Sequence, residues 1–384
     1  MLALMDAVSL QLVLGRAPGL RYAQLRSALE KISPRPADIF AVDALIGQRI
    51  QTLQSLGLGA AASAWLHAPE AATLAADRKW IARDRIELLD AFDPRYPRLL
   101  TQVSDAPALL YVRGDIEALS LPQLAIVGSR SPTLPGRWLA MQFAAELSRQ
   151  GLTITSGLAL GIDAAGHEGA LRAGGQTVAV LGSGLDRIYP AQHGLLAARI
   201  AARGALISEF PRGTAPHRTH FPQRNRLMSG LSLGTLVVEA ARESGSLITA
   251  QFALEQGREV FAIPGSIHNP LTRGCHALIR SGAKLVESTR DIFEEIGFCL
   301  PKQDDMSCNS SPDRVTRRRA TLDKGQKILL DALGFDPASI DTLAERTGFP
   351  SQSVASMLQI LEHKGAVGSE AGGCYMRLPD ERPS

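Results

Sequence analysis

The sequence predicts an α/β protein whose central part is a Rossmann-like parallel sheet with helices on both faces. Between residues 121 and 297, short apolar runs rich in β-branched residues alternate with stretches of helical periodicity. Near-continuous apolar strands of this kind are typical of a parallel sheet that is buried on both faces. We therefore expect a helical domain over residues 1–100, a Rossmann-like domain over 101–300, a linker over 301–320 and a winged-helix domain over 321–384.

The central part predicts seven strands and five helices. The strands are expected over residues 124–128, 153–157, 177–182, 205–210, 234–240, 258–264 and 283–287. The helices are expected over residues 136–150, 161–173, 192–203, 222–231 and 246–256. In an open parallel sheet, the loops that follow the strands gather in one crevice, which is where such folds bind ligands.

The N-terminal region is rich in alanine and leucine, with helical periodicity from about Leu2 to Leu100. Glycine and proline interrupt it at residues 15–19, 34–36 and 57–59, which predicts a small helical domain of several short helices. Residues 12–26 fit a helix, a glycine turn and a second helix. That pattern is typical of two packed helices and also of motifs that contact nucleic-acid backbones.

The C-terminal region begins with a polar stretch over residues 301–320 that has no periodicity, and we interpret it as a linker. Three helical patterns and a glycine-turned hairpin follow, which together describe a winged helix. From residue 321 to 378 there are five basic and seven acidic side chains. A winged helix that enters duplex DNA presents a positive face, so this one is expected to bind protein or to pack against its neighbour.

The composition is that of an ordinary soluble protein. The 384 residues are 45% hydrophobic with a net charge of +3. No run approaches about 18 apolar residues, and Asp6 comes early at the N-terminus, so we expect neither a membrane span nor a signal peptide, and a cytoplasmic location. The four cysteines have no paired spacing, which predicts neither a metal site nor a disulfide framework.

Positive charge is concentrated in the central part of the chain. Residues 121–283 hold 15 basic and nine acidic side chains, and all 15 basic residues are arginine. The guanidinium fork suits phosphate oxygens better than the point charge of lysine does. Coding bias toward arginine is the alternative explanation, but the flanking regions use both residues. The pattern favours a phosphate-bearing ligand.

The candidate phosphate-binding residues share one position in the pattern, because they follow predicted strands or open predicted helices. They are Gly128, Ser129, Arg130, Ser156, Gly157, Gly161, Gly182, Gly184, Arg224, Asn225, Arg226, Ser244, Gly245 and Ser246. Glycine permits close backbone approach, and helix N-termini attract anions. Neither a dinucleotide fingerprint nor a Walker A lysine accompanies these glycines. We therefore expect no NAD, ATP or other cofactor.

Arg224 and Arg226 are the strongest phosphate candidates, because both are expected to open a helix and to bring charge to its free amides. The alternative is a salt bridge from this segment to Glu209 or Glu239.

Three aromatic residues near predicted strand ends, Tyr189, Phe210 and Phe221, are candidates for stacking on nucleobases. Packing in the core is the alternative for each of them.

Taken together, these motifs resemble the DNA-processing protein A (DprA/Smf) family. The similarity is carried by Val127-Gly-Ser-Arg130, Ser156-Gly-Leu-Ala-Leu-Gly-Ile-Asp163, Val180-Leu-Gly-Ser-Gly-Leu-Asp186, Ser208-Glu-Phe-Pro211, Phe221-Pro-Gln-Arg-Asn-Arg226, Ser244-Gly-Ser-Leu-Ile-Thr249 and Pro264-Gly-Ser-Ile267. It extends over roughly residues 93–297, and the terminal domains match in type and order.

The resemblance implies a single-stranded DNA-binding protein that protects incoming DNA and loads the RecA recombinase onto it in natural transformation. It implies no catalysis, an N-terminal domain similar to SAM domains, and a homodimer formed through the Rossmann-like domain. An apolar helix and a possible edge strand over residues 275–286 are candidates for that contact.

The alternative function is a nucleotide-binding enzyme of the phosphoribohydrolase-like Rossmann group. In that case Asp163 and Glu239 would act as acid and base. The proline-glycine-glycine loop that marks that group is absent, and Pro264-Gly265-Ser266 stops short of it. Asp163 is instead expected to cap, or to bond backbone in, the loop after Gly161.

Overall fold

A nine-stranded sheet forms the centre of the first of two units. The computed structural model describes residues 7–19, 60–90, 93–297, 322–334, 337–370 and 373–378. Residues 1–131 and 140–299 make up the first unit, and residues 132–139 and 300–384 the second. The predicted linker, 301–320, lies outside the described residues, as do residues 20–59 of the predicted helical domain.

The strands are β1 Ile86–Asp90, β2 Leu109–Gly114, β3 Gln123–Val127, β4 Thr153–Ser156, β5 Thr177–Val180, β6 Ala205–Ser208, β7 Gly234–Val237, β8 Glu259–Ala262 and β9 Lys284–Leu285. Their order across the sheet is β1-β2-β6-β5-β4-β3-β7-β8-β9. The seven strands from β6 to β9 in this order are parallel, whereas β2 runs antiparallel to both β1 and β6. The seven predicted strands are these seven parallel strands.

Helices cover the sheet, and every residue of β3, β4, β5, β6 and β7 is buried. The helices that contribute to this unit are α1 Ala7–Arg16, α2 Ala60–His67, α3 Ala71–Asp84, α4 Leu134–Arg149, α5 Ile162–Arg172, α6 Gly194–Arg203, α7 His220–Leu231, α8 Gly245–Glu255, α9 Arg273–Arg280 and α10 Thr289–Ile296. Residues 134–139 of α4 belong to the second unit. Helices α4 to α8 are the five predicted ones. Among the described residues, no helix is both long and apolar enough to cross a membrane.

The antiparallel strands β1 and β2 were not predicted. Residues 86–90 lie in the stretch that was expected to be helical, but they pair with β2 along its length, from Ile86 opposite Arg113 to Asp90 opposite Leu109. Five residues, here Ile-Glu-Leu-Leu-Asp, are too few for a period that would separate a strand from a helix. The pairing with β2, and through β2 with β6, decides the conformation here.

The described N-terminal helices pack on this antiparallel end of the sheet. Trp65 of α2 donates a hydrogen bond to the carbonyl oxygen of Val13 in α1 at 2.7 Å. The ring of Trp80 in α3 lies 6.1 Å from that of Tyr111 in β2. Helix α1 and a turn account for residues 7–19, and the second helix expected within 12–26 falls outside the described residues.

The order of the strands places a topological switch point between β3 and β7. Successive strands run outward from β3 through β4 and β5 to β6 on one side, and from β7 through β8 to β9 on the other. The loops that leave the carboxyl ends of β3 and β7 therefore diverge. Divergent loops open a crevice in a doubly wound sheet, which is where such folds bind their ligands.

The second unit is a winged helix, as the sequence predicts. It contains α11 Lys324–Leu333, α12 Ile340–Thr347, α13 Ser351–His363 and a sheet of β10 Ala338–Ser339, β12 Cys374–Arg377 and β11 Val367–Glu370, in that order. Leu329, Leu343, Leu358 and Leu361 have no exposed surface and form its core. The hairpin of β11 and β12 is the wing.

Candidate functional site

A cavity of about 660 Å³ lies at the switch point. Its walls come from the loops after β3, β4 and β5, from α7 and from the N-terminus of α8. The lining residues are Val127, Gly128, Arg130, Ala159, Asp163, Tyr189, Arg218, Phe221, Pro222, Arg224, Asn225, Met228, Ser244, Gly245, Ser246, Ile248 and Thr249. Seven of the fourteen predicted site residues are among them.

The N-terminus of α8 supplies anion-binding groups to this cavity. Ser244 caps the helix, and its side-chain oxygen accepts the backbone N–H of Ser246 at 3.3 Å. Because the Ser246 amide is used by this cap, Gly245 contributes the amide of the first turn, where a helix carries partial positive charge. One turn further on, the buried Thr249 hydroxyl has no hydrogen-bond partner among the described residues. The sequence predicted Ser244, Gly245 and Ser246 for this role, but not Thr249.

The loop after β3 brings its backbone close to the opposite wall. A Cβ at Gly128 would lie 2.7 Å from Ile162 Cγ1 and 2.8 Å from the carbonyl oxygen of Glu239, so only glycine fits there. The backbone N–H of Ser129 donates to that same oxygen at 2.7 Å. This arrangement directs the next residue, Arg130, outward along the cavity rim. Its guanidinium lies over the ring of Phe221, 5.4 Å from the centroid.

Arg224 forms a charged floor in the cavity. It is 4% exposed and passes directly over Gly157, where a Cβ would lie 1.4 Å from Nη1. Its Nη1 donates to the carbonyl oxygen of Val180 and to Sδ of Met228, each at 3.1 Å. Its Nε has no hydrogen-bond partner among the described residues. Burial lowers the pKa of this guanidinium, and the nearby Asp163 opposes that shift.

Asp163 occupies the backbone amides in the loop after β4 that could otherwise bind an anion. Its Oδ2 accepts the backbone N–H groups of Gly157 at 3.1 Å and of Ala159 at 3.3 Å. Burial raises the pKa of this carboxyl, against the attraction of Arg224 and the two amide bonds. The chain's own carboxylate therefore occupies the amides that a substrate phosphate would use there. The predicted backbone-bonding role is found, but the two amides precede Gly161 rather than follow it.

Arg226 points away from the cavity, contrary to the idea that it would act beside Arg224. Its Nη2 donates to Oε2 of Glu209, and its Nε lies 3.0 Å from Oδ2 of Asp105. The alternative noted from the sequence, a salt bridge to Glu209, is the arrangement found. Residues two apart on a helix project from different faces, so Arg224 and Arg226 cannot share one ligand.

The start of α7 corrects a second part of that expectation. The helix begins at His220 rather than at 222, so Arg224 comes after the first turn, whose amides are free. The free amides that serve the cavity belong to α8. Asn225 links the two helices, because its side-chain Nδ2 donates to the carbonyl oxygen of Gly245 at 3.3 Å.

The other predicted residues shape the backbone around the cavity without lining it. Ser156 is fully buried and donates to the carbonyl oxygen of Ile126 at 2.6 Å. Gly161 precedes α5 with a φ of 78°. A Cβ at Gly182 would lie 3.0 Å from Phe221, and one at Gly184 would lie 2.7 Å from the carbonyl oxygen of Pro211. Ser129, Gly157 and Arg226 likewise are not among the lining residues.

The aromatic residues separate into two groups. Tyr189 is 48% exposed, and its ring lies 5.7 Å from that of Phe221, so both offer faces to the cavity. Phe210 is 8% exposed and stacks on His220 at 4.3 Å, which is a packing role. Arg218 also lines the cavity, and the sequence analysis missed it. Its place two residues before α7 and three before Phe221 was the available signal.

Among the described residues, no group of three or more histidine, cysteine, aspartate and glutamate side chains could hold a metal ion. Cys275 is buried and its Sγ lies 3.7 Å from the carbonyl oxygens of Val237 and Val238. Burial raises the pKa of its thiol to about 12, which leaves it protonated and inert at neutral pH.

Glu239, which the alternative function would use as an acid or base, is 6% exposed.

Two solved structures with similar folds each share more than 25% sequence identity with this chain. The X-ray structure of DNA processing protein A (DprA) from Streptococcus pneumoniae has a TM-score of 0.66 and 36% identity, and the match covers 77% of this chain and 100% of that one. A structure of DNA processing protein A from Helicobacter pylori, which concerns that protein's single-stranded DNA binding mode, has a TM-score of 0.51 and 28% identity. That match covers 55% of this chain and 95% of the other.

Sequence comparisons agree with the structural ones. Protein Smf of Escherichia coli (strain K12) is 44% identical over 302 residues, which are 78% of this chain and 79% of that protein. DNA processing protein DprA of Bacillus subtilis (strain 168) is 46% identical over 203 residues, 53% of this chain and 68% of that protein. The DprA winged helix domain matches residues 314–373. Residues 87–297, more than half of the chain, match the family of DNA recombination-mediator protein A, and the chain belongs to that family.

Proposed function

We propose that the chain is a single-stranded DNA-binding protein that protects incoming DNA and loads the RecA recombinase onto it in natural transformation. It acts in the cytoplasm, as a homodimer and without catalysis. One observation carries the DNA-binding part, namely that a single cavity combines helix-terminal amides, arginines and exposed aromatic faces. The single-stranded DNA binding mode described for the Helicobacter pylori protein supports it.

The arrangement suits a single strand better than a duplex. Single strands are held by positive charge along the backbone and by aromatic side chains on which bases stack, at about 1 to 3 kcal/mol per base. Arg130 and Arg218 at the rim serve the phosphates, as do the amides of α8. Tyr189 is 48% exposed and offers a ring face on which an unpaired base can stack, whereas the Phe221 ring lies beneath the Arg130 guanidinium. Family membership supports the role in recombination.

The position of Asp163 argues against the nucleotide-hydrolysing alternative. A general acid or base must reach the reacting group of the substrate, whereas this carboxylate is 5% exposed and bonds two backbone amides. A mobility-shift comparison of single- and double-stranded oligonucleotides of equal length, at several salt concentrations, tests the proposal. Preference for the duplex, or binding of neither, would contradict it.

Replacing Arg130 with alanine is expected to weaken single-strand binding for all sequences. The slope of log affinity against log salt should flatten by about 0.7, which corresponds to one phosphate contact. Arg172→Ala is the matched control, because that exposed arginine ends α5 shortly before β5 begins, at the amino ends of the parallel strands and away from the cavity. Equal affinity and slope for Arg130→Ala and the unaltered protein would remove Arg130 from the interface.

The winged helix is expected to be dispensable for single-strand binding. Its charge from residue 321 to 378 is −2, from five basic and seven acidic side chains, and a negative module adds no attraction for a phosphate backbone. A chain that ends at residue 303 should keep most of its affinity in the same assay. A loss of about tenfold or more, roughly 1.4 kcal/mol, from a folded truncated chain would show that this domain contacts DNA.

The homodimer is expected to form at the edge of the sheet that ends in β9. Leu278 and Ile279, which belong to the segment 275–286 predicted for this contact, are half-buried against the core of their own chain. Leu285 of β9 is 41% exposed on the terminal strand, where backbone groups are available for pairing. Leu285→Asp should therefore give a monomer in sedimentation analysis. Leu195→Asp is the control, because Leu195 is 84% exposed on α6. This variant should sediment as a dimer, like the unaltered protein.

A further inference from the structure

The segment between β6 and α7, residues 209–219, connects the cavity to the rest of the unit. It supplies Arg218 to the cavity rim and leads directly into Phe221. Two contacts hold its middle to the loop after β5. The backbone N–H of Gly213 donates to both carboxylate oxygens of Asp186, at 3.0 and 3.1 Å, and the N–H of Gly184 donates to the carbonyl oxygen of Thr214 at 3.0 Å.

A third anchor comes from the N-terminal helices. Arg16, the last residue of α1, donates through Nη2 to the carbonyl oxygen of Arg212 at 3.0 Å. The same guanidinium makes a two-pronged contact with Asp77 of α3, through Nε at 2.5 Å and Nη2 at 2.8 Å. The side chain of Arg212 returns to Asp77, with Nη1 3.7 Å from Oδ1. One guanidinium therefore joins α1, α3 and the 209–219 segment.

The contacts between Arg16, Asp77 and Arg212 are constrained by the burial of Asp77. Asp77 is 1% exposed, and a buried carboxylate requires partners with good geometry. The planar fork of Arg16 satisfies both carboxylate oxygens while it also holds a backbone carbonyl, and lysine could not do both. The position of Arg212 relative to α1 and α3 is thus determined by a charge cluster that lies outside the cavity.

We propose that Arg16 and Asp77 are positioning residues for the DNA site, and that they act by holding the 209–219 segment so that Arg218 stays at the cavity rim. This gives the described N-terminal helices a part in nucleic-acid binding without any contact to the strand. The inference rests on the proposed function, because it takes the cavity to be the single-strand site.

A double-mutant cycle on the full chain tests this positioning role, with binding to a fluorescent oligothymidylate as the readout. Asp77→Asn should lower the affinity about threefold to tenfold and flatten the log–log salt slope by about 0.7, because Arg218 loses its phosphate. Arg218→Ala should produce the same change. The double variant should bind no more weakly than Arg218→Ala alone, since coupled residues are not additive.

Two controls separate positioning from a general loss of stability. Asp84→Asn changes a carboxylate on the same helix that pairs with the exposed Arg83, and its affinity should equal that of the unaltered protein. In a double variant with Arg130→Ala, the fold-losses of affinity caused by Asp77→Asn and by Arg130→Ala should multiply, because Arg130 is held by a different loop. Arg16→Lys is a second variant that leaves a cation beside Asp77 but loses the bond to Arg212, and it should also couple to Arg218→Ala.

The inference is overturned if Asp77→Asn and Arg16→Lys leave the affinity unchanged, or if their effects multiply with that of Arg218→Ala. It is overturned as well if Arg218→Ala itself binds normally. The proposed function fails separately, when the unaltered chain prefers the duplex or binds neither oligonucleotide in the mobility-shift comparison.

Discussion

Replacing Arg224 with alanine is expected to weaken single-strand binding about 10- to 100-fold. A hydrogen bond to a charged group contributes about 1.5 to 3 kcal/mol, and Arg224 lies on the cavity floor with a buried Nε that has no partner among the described residues. Nε itself has no accessible surface, so we expect a phosphate in the cavity to be attracted by the charge of the guanidinium on the floor. The measurement is the affinity for an oligothymidylate at three or more salt concentrations.

Arg224→Lys separates geometry from charge in this prediction. Lysine keeps a cation on the floor but not the fork that reaches Val180, Met228 and the ligand together. We expect it to recover part of the salt dependence and little of the affinity. Circular dichroism checks that each variant is folded. If a folded Arg224→Ala variant kept full affinity, the guanidinium would have only a structural role, in packing over Gly157.

Replacing Arg226 with alanine is expected to lower the free energy of unfolding by about 3 to 5 kcal/mol, without changing the salt slope of DNA binding. Arg226 is 3% exposed, and the side chain of Glu209, its partner, is 6% exposed. Removal of one member of a buried ion pair leaves the other charge poorly compensated. Urea unfolding measures the loss of stability, and binding is measured under conditions where the variant is folded.

Asp105→Ala provides the comparison, because the Asp105 side chain is 47% exposed. An exposed ion pair contributes about 1 kcal/mol or less, so this variant should unfold nearly as the unaltered protein does. An Arg226→Met, Glu209→Met double variant should regain much of the lost stability, because apolar side chains replace both buried charges. If folded Arg226→Ala had a changed salt slope of DNA binding, Arg226 would have to contact DNA and this prediction would be wrong.

Much of the central fold could be predicted from the sequence. Buried parallel strands are short apolar runs, and amphipathic helices between them have their own period, so both signals are local. The antiparallel pair β1 and β2 was missed because residues 86–90 have no distinctive period. Their strand conformation depends on pairing with residues 109–113, some twenty positions away.

The candidate site was predicted in outline. The cavity brings together Gly128, Arg130, Arg224, Asn225, Ser244, Gly245 and Ser246, each chosen because it follows a strand or opens a helix. Residue type and position after a strand were sufficient for these. Arg218 was missed because it belongs to an irregular segment, and its location depends on what that segment packs against.

By itself, the sequence determined the alternation of strands and helices, the glycine-bearing loops after the strands and the concentration of arginine in the middle of the chain. The tertiary structure alone decided which of those groups meet. The strand order puts the loops after β3 and β7 on either side of one crevice. The phase of α7 turns Arg224 into the crevice and Arg226 toward Glu209. Local patterns specify the conformation of a segment, whereas the direction of a side chain depends on where its helix begins and on which neighbours the sheet supplies.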